Sequence, residues 1–345
     1  MEYAKVNVHD AERARTLISQ LGLFDRSRSV KHSPSYVYFP ISISTARAKK
    51  LIAKRWVEIV AVKDVKSEPV RTYRDELGAI LTPTEMGELT RGYDILGNIA
   101  IIDLSGKLKR KEEKIADALM RSHRSVKTVL AKAGAVSGVY RIRKVRYVAG
   151  EKSYIAEYRE NNCTFRFDVR KTFFSNRLSF ERTRIMGLVK NKESVMVMFA
   201  GVGPFAIEIA KAHPKTAVRG IELNRNACKY MVDNIKLNKV TNVKAQCGDV
   251  RKLAARNRGF ADRIIMPLPN TSIEFLDQVF TVAKRKAVVH LYRIGPTESV
   301  VANTKAMVRE HAKRKGYSVR FLFDRPVRPY SSKDVEIVLD FAIIK

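Results

Sequence analysis

Hydrophobic spacing divides the chain into three regions. Near the N-terminus, "DAERARTLISQLG" sets Ala11, Ala14, Leu17, Ile18 and Leu21 at helical spacing, and Gly22 closes the helix. "SYVYFPIS" and "VEIVAV" read as strands on either side of a second short helix, "ARAKKLIAKR". These elements predict a small α+β domain over residues 1–62. The polar stretch "KDVKSEPVRTYRDE" then reads as a linker. A second α+β domain is expected over residues 63–169. It has a strand-like "YDILGNIAIIDL" and a long basic helix over "EEKIADALMRSHRSVKTVLAKAG". Strands follow near "GVYRIRKVRYVAG" and "SYIAEYRENNCTFRFDVRK", the latter folding back at Glu160-Asn161-Asn162.

From residue 170 the pattern changes. Apolar runs at "SVMVMFA", "AVRGIEL", "NVKAQCGDV", "RIIMPLP" and "KAVVHLYRI" alternate with amphipathic stretches such as "PFAIEIAKAH" and "NRNACKYMVDNIKLN". That alternation predicts an α/β domain over 170–345, a parallel sheet covered by helices on both faces. "YSVRFLFDRPVRPYSSKDVEIVLDFAII" reads as a closing antiparallel pair.

Charge adds what periodicity cannot. The chain has 345 residues and is 45% hydrophobic, enough for a buried core, yet its net charge is +31. A lysine-rich surface selected for heat would carry matched acids, and here the acids are far outnumbered. The excess points to a polyanion, and in particular to nucleic acid. Cys163, Cys228 and Cys247 show no Cys-x-x-Cys and no histidine at zinc spacing. They predict small core residues, with neither a metal site nor a disulfide framework. No signal peptide and no apolar run of membrane-spanning length is visible, so a cytoplasmic protein with no membrane partner is expected, and a monomer.

Candidate chemistry clusters at the strand ends of the last domain. "FAGVGPFAIEIA" follows a buried strand and opens a helix. Gly201 and Gly203 allow a tight turn and close backbone approach, and the helix N-terminus favours an anionic group. Gly201-x-Gly203-x-x-Ala206 also satisfies the dinucleotide fingerprint, which leaves an NAD-dependent oxidoreductase open. Glu222 ends the next strand, 21 residues after Gly201, where its carboxylate can accept both ribose hydroxyls. Asp249 ends the third strand and can accept an adenine amino proton. Residues 263–269 end the fourth. A nucleoside with a short charged tail fits this crevice, which makes S-adenosylmethionine the expected cofactor and a class I (Rossmann-like) methyltransferase domain the expected fold. Phe199, Ala200, Leu223, Val250 and Pro267 are the neighbouring residues expected to contact it.

"RIIMPLPN" carries the substrate side. Pro267 and Pro269 end the sheet ladder and fix φ, so the loop is expected to turn free carbonyls toward a flat substrate such as a nucleobase. Pro267, Leu268, Pro269 and Asn270 are therefore candidate RNA contacts. The loop lacks the aromatic residue common in amino-directed methyltransferases, and no cysteine is placed for pyrimidine C5 chemistry.

With "YRIR", "FFSNRLSFER", "FAGVGPF", "IELN", "GDVR" and the proline-bracketed loop in order, the whole chain resembles the archaeal tRNA (guanine-N1) methyltransferases. These act on the guanosine just 3′ of the anticodon. The resemblance implies tRNA as partner and an N-terminal domain that contacts the tRNA elbow. It implies Glu181 as the base that removes the N1 proton and Arg141 as the cation that stabilises O6. It places Arg177 and Arg182 at phosphate or cofactor-carboxylate contacts, and Phe173 where the family often has tyrosine. The chain departs from the family at Pro267, where an asparagine is usual. That resembles a paralogous branch that also methylates a tricyclic wyosine precursor. Another RNA base methyltransferase remains the alternative.

Overall fold

Strand β1 (Glu2–Asn7), not anticipated from the sequence, is the centre of the N-terminal sheet. It pairs antiparallel with β3 (Tyr36–Pro40) and β4 (Val57–Ala61), while β2 (Lys31–His32) lies beyond β3. Helix α1 (Ala11–Gln20) lays Ala14 and Ile18 against Val37 and Phe39, as its spacing requires. The computed structural model describes residues 2–7, 10–25, 28, 30–33, 35–42, 46, 48, 56–61, 73–89, 93–104, 106–134 and 138–345. Most of the expected helix "ARAKKLIAKR" and the linker up to residue 72 lie outside the described residues. The chain divides into two compact units, Met1–Val70 and Arg71–Lys345.

The second unit begins with two short helices, α2 (Tyr73–Gly78) and α3 (Pro83–Glu88). "YDILGNIAIIDL" is a hairpin of β5 (Tyr93–Leu96) and β6 (Ile99–Ile102). The long basic helix is shorter than its spacing predicted. Helix α4 (Glu112–Ser122) stops where its apolar stripe of Ile115, Ala116, Ala118 and Leu119 ends. Thr128 to Ala131 are all buried, which suits a strand enclosed on both faces, and they form β7 (Thr128–Lys132) between β6 and β8 (Val145–Gly150). Strands β9 (Ile155–Glu160) and β10 (Cys163–Asp168) form the expected hairpin. Asn161 and Asn162 turn it with φ of 45° and 59°, the left-handed conformation a two-residue hairpin turn needs. Its open edge is capped by side chains: the amides of Thr164 and Arg166 donate to Asn238 and Asn234 at 2.8 Å. Phe165 and Phe167 share a core with Val202, Ile207 and Ala227, so this hairpin packs with the sheet that follows it.

That sheet has seven strands in the order β13-β12-β11-β14-β15-β17-β16. These are β11 (Ser194–Met198), β12 (Ala217–Glu222), β13 (Val243–Cys247), β14 (Ala261–Met266), β15 (Ala283–Pro296), β16 (Ser318–Pro329) and β17 (Asp334–Ile344). The first five in spatial order are parallel, and β17 runs antiparallel to both β15 and β16. Alternate residues of β11 serve opposite cores: Met196 and Met198 face one, Val195 and Val197 the other. Helices α5 (Ser179–Leu188), α6 (Pro204–Ala212), α7 (Arg225–Leu237), α8 (Val250–Leu253), α9 (Leu276–Val282) and α10 (Val300–Arg314) connect and cover the strands. No described helix is long and apolar enough to cross a membrane.

Candidate active site

The carboxyl ends of β11, β12, β13 and β14 open on one cavity of about 430 Å³. After β11 the chain turns through three left-handed positions, Phe199 (φ 61°), Gly201 (φ 59°) and Gly203 (φ 95°). Phenylalanine in that region costs on the order of 1 kcal/mol. Phe199 is held there by an edge-on contact with Phe275, ring centroids 4.7 Å apart, and both rings line the cavity. A side chain on Gly201 would meet nothing nearer than the Phe173 carbonyl at 3.9 Å, so its bareness leaves cavity space. Gly203 differs from expectation. It caps α6 beneath the turn, where a Cβ would lie 2.9 Å from Ile207 and Met231, and it does not line the cavity.

Glu222 and Asp249 both reach the cavity wall. Glu222 accepts from the amides of Gly201 and Asn224, each at 2.7 Å, and thereby fixes the turn. Burial pushes its carboxyl up, and those amides oppose the rise. Asp249 caps α8 by accepting from Arg251 N at 2.8 Å. Each carboxylate oxygen has two lone pairs, so both residues keep acceptor capacity for a ligand. Leu223 and Val250 line the same wall; Ala200, expected there, is buried behind it.

The cavity is also lined by Arg141, Phe173 and the loop Pro267, Leu268, Pro269 and Asn270. Arg141 Nη1 donates to Asn270 Oδ1 at 2.7 Å, and its guanidinium lies 5.5 Å from the Phe173 ring centre. Arg141 is itself left-handed, φ 52°, a strained placement that the surrounding fold must hold. The loop's carbonyls are less free than its prolines suggested. Leu268 O accepts from Ser272 N at 3.0 Å and Pro269 O from Ile294 N at 2.9 Å. What the loop offers instead is the Asn270 amide, three residues past Pro267.

Besides Gly203 and Ala200, three further expected site residues are not in the cavity wall. Glu181 is 1% exposed. Its carboxylate accepts from Arg184 Nη2 at 2.9 Å, Tyr292 Oη at 2.7 Å and Arg325. Burial alone would raise this carboxyl, but those hydrogen bonds prevail and hold it below the usual range. Arg182 is also buried. It forms a fork with Glu160 at 2.5 and 2.7 Å and donates to Ser175 O at 3.0 Å, so it braces α5 and is not directed at a cofactor. Arg177 is exposed and pairs with Asp94 at 2.9 Å. A motif gives the spacing of side chains but not which face of a short helix meets the cavity: α5 turns Glu181 and Arg182 away, and Arg177 leaves from the short turn at Asn176–Leu178 that precedes it.

Residues 156–320 match the TRM5/TYW2 methyltransferase domain, 73–153 the TYW2 N-terminal domain and 5–48 the tRNA methyltransferase 5 N-terminal domain. The tRNA (guanine(37)-N(1))-methyltransferase Trm5b of Pyrococcus abyssi is 33% identical over 98% of both chains. The chain belongs to the TRM5/TYW2 methyltransferase family. A crystal structure of Trm5b from Pyrococcus abyssi superposes with a TM-score of 0.73, covering 100% of each chain. TYW2 of Pyrococcus horikoshii in complex with MeSAdo is 27% identical, with a TM-score of 0.68 over 79% of this chain and 98% of that one. Taw22 of Nanoarchaeum equitans, named a tRNA (guanine(37)-N(1))/4-demethylwyosine(37)-methyltransferase, is 30% identical over 69% of this chain and 96% of its own. Membership of the TRM5/TYW2 family removes the oxidoreductase reading of Gly201-x-Gly203-x-x-Ala206.

Within this family fold, two features escaped sequence reasoning, one in the site and one beside it. Arg328 and Glu336, on the closing strands, line the cavity and pair at 2.6 Å. Glu336 Oε1 has no hydrogen-bond partner among the described residues. The signal was present as a carboxylate inside the apolar run "VEIVLDFAII", where a buried charge needs a partner or a use. The second is a disulfide joining Cys228 to Cys247, Cα atoms 5.6 Å apart, which corrects the expectation of unbonded cysteines. Parallel pairing of β13 with β12 returns the chain so that the end of β13 lies beside the start of α7. Among the described residues, no cluster of histidine, cysteine and acidic side chains is placed to hold a metal.

Proposed function

We propose that this chain transfers a methyl group from S-adenosylmethionine to N1 of guanosine 37 of tRNA, in this cavity, as a cytoplasmic monomer. One observation carries the reading. Arg141 and Asn270, 129 residues apart in sequence, meet at 2.7 Å in the wall of the cavity that Glu222 and Asp249 also line. Glu222 and Asp249 offer acceptors for ribose hydroxyls and an adenine amino group; Arg141 and Asn270 offer a cation and an amide to a second base. The residues present fit the cofactor: Gly201 leaves space, and Glu222 and Asp249 keep lone pairs. When bound, S-adenosylmethionine supplies an electrophilic methyl group.

The chain's own tasks are to hold the guanine, to stabilise charge on O6 and to take the N1 proton. Arg141 suits O6. Two carboxylates compete for the proton. Glu181 occupies the family's motif position, but it must first be released by Arg184 and Arg325, for which tRNA phosphates are natural competitors. Glu336 already borders the cavity with one oxygen unpaired. Single-turnover rates separate them. Arg141→Ala is expected to lose about 10²-fold with little change in cofactor affinity. An equal loss in Glu181→Gln assigns the proton to Glu181. A near-normal Glu181→Gln with a slow Glu336→Gln assigns it to Glu336. A normal rate in Arg141→Ala would contradict the assignment of Arg141 to the substrate.

A second activity, on a tricyclic wyosine precursor, is supported by Pro267 in place of asparagine and by the name of the Nanoarchaeum relative. Pro267→Asn is expected to keep guanosine methylation and lower activity on the tricyclic base. Equal activity on both substrates before and after the change removes the reading.

A further inference from the structure

Phe180 is 64% exposed and Phe323 is 42% exposed, although both belong to ordered elements, α5 and β16. Each carries a guanidinium on its ring. Arg325 lies 4.5 Å from the Phe180 ring centre, and Arg184 lies 5.1 Å from that of Phe323. Both arginines donate to the buried carboxylate of Glu181, and Arg184 also pairs with the buried Asp340 at 2.6 Å. Through Glu181 the four side chains form one connected row: Phe180, Arg325, Arg184, Phe323. The chain links the row to the cavity at two points. Leu178, two residues before Phe180, and Arg328, three residues after Arg325, both line it.

Single exposed apolar residues need no explanation, but two exposed rings on one arginine frame beside a catalytic cavity do. We propose that this row is a stacking platform for the unpaired nucleobases that flank the target guanosine in the tRNA loop. The inference rests on the RNA methyltransferase reading above. N1 of guanine can be reached only when the base leaves its stack, which strips its neighbours of a stacking partner. Aromatic faces with guanidinium planes are the surfaces that take up such bases, without regard to sequence. Charge selects RNA over a second copy of the chain: two copies of net charge +31 repel, while the phosphates of an RNA loop are attracted by the same excess of positive charge.

The test compares Phe180→Ala, Phe323→Ala and Phe180→Tyr for affinity toward full-length tRNA, and toward tRNA made abasic at one nucleotide flanking the target. Melting temperature and S-adenosylhomocysteine affinity serve as controls. Phe180→Ala or Phe323→Ala is expected to weaken tRNA binding about tenfold, the scale of one lost stacking contact, with both controls unmoved and Phe180→Tyr near wild type. Removing a flanking base from the tRNA should weaken wild type by a similar factor and the affected alanine variant little further. Wild-type affinity in both alanine variants, or losses that simply add for each abasic tRNA, overturns the platform. A surface for protein partners predicts that first result. The absence of methylguanosine product from wild type would instead count against the reaction, which binding affinity does not measure.

Discussion

At the scale of single residues, the turn after β11 separates two demands that glycine-rich motifs usually blend. Gly201 faces open space, whereas Gly203 faces Ile207 and Met231 at 2.9 Å with φ 95°. Gly203→Val is therefore expected to act through stability, by more than about 1 kcal/mol, because a branched side chain must take a left-handed φ and displace the neighbouring core. Asp249→Ala is expected to act on the ligand, weakening cofactor binding tenfold or more, the order of a lost hydrogen bond to a charged group. It also removes the α8 cap, a further cost of about 1 kcal/mol in stability. Calorimetry with S-adenosylhomocysteine alongside thermal melting distinguishes the two. Unchanged affinity in Asp249→Ala would remove it from the site.

At the scale of elements, the Cys228–Cys247 bond fastens the first turn of α7 to the end of β13, next to the segments carrying Glu222 and Asp249. Closing a loop of 19 residues is worth about 3 kcal/mol in the chain-entropy account. Cys247→Ser, or reduction of wild type, should lower stability by about that much in chemical denaturation. Equal denaturation midpoints with and without reductant would show that the bond does not form in solution. The elements also show what could be read from the sequence. Alternation after residue 170 suffices for the parallel sheet, because strands buried on both faces read as unbroken apolar runs. Strand ends at Gly201, Glu222, Asp249 and Pro267 then follow from topology. The Glu160-Asn161-Asn162 turn was legible because left-handed asparagines have few other uses. Residues 112–134 were over-read as one helix because an apolar strand after an amphipathic helix can continue the helical count. The direction of Glu181 and Arg182 was not legible, because their partners Arg325, Tyr292 and Glu160 are set by tertiary packing. The same holds for Glu336, which reaches the cavity only through the order of the closing strands.

At the scale of the whole molecule, net charge of +31 and a cavity confined to the second unit imply a division of labour. Cofactor affinity is expected to survive removal of residues 1–70, while use of full-length tRNA weakens. Full activity on tRNA at low enzyme after truncation would contradict a docking role for the first unit. Phosphate contacts should make the logarithm of tRNA affinity fall linearly with that of salt concentration, with a slope that counts the phosphates neutralised. The central claim is the atom that receives the methyl group. Its most direct test is mass spectrometry of nucleosides and of anticodon-loop fragments from unmodified tRNA incubated with the enzyme and S-adenosylmethionine. The account predicts 1-methylguanosine confined to the nucleotide 3′ of the anticodon, and its loss in Arg141→Ala. A methyl group on another base or another atom, or no transfer to tRNA at all, would contradict it.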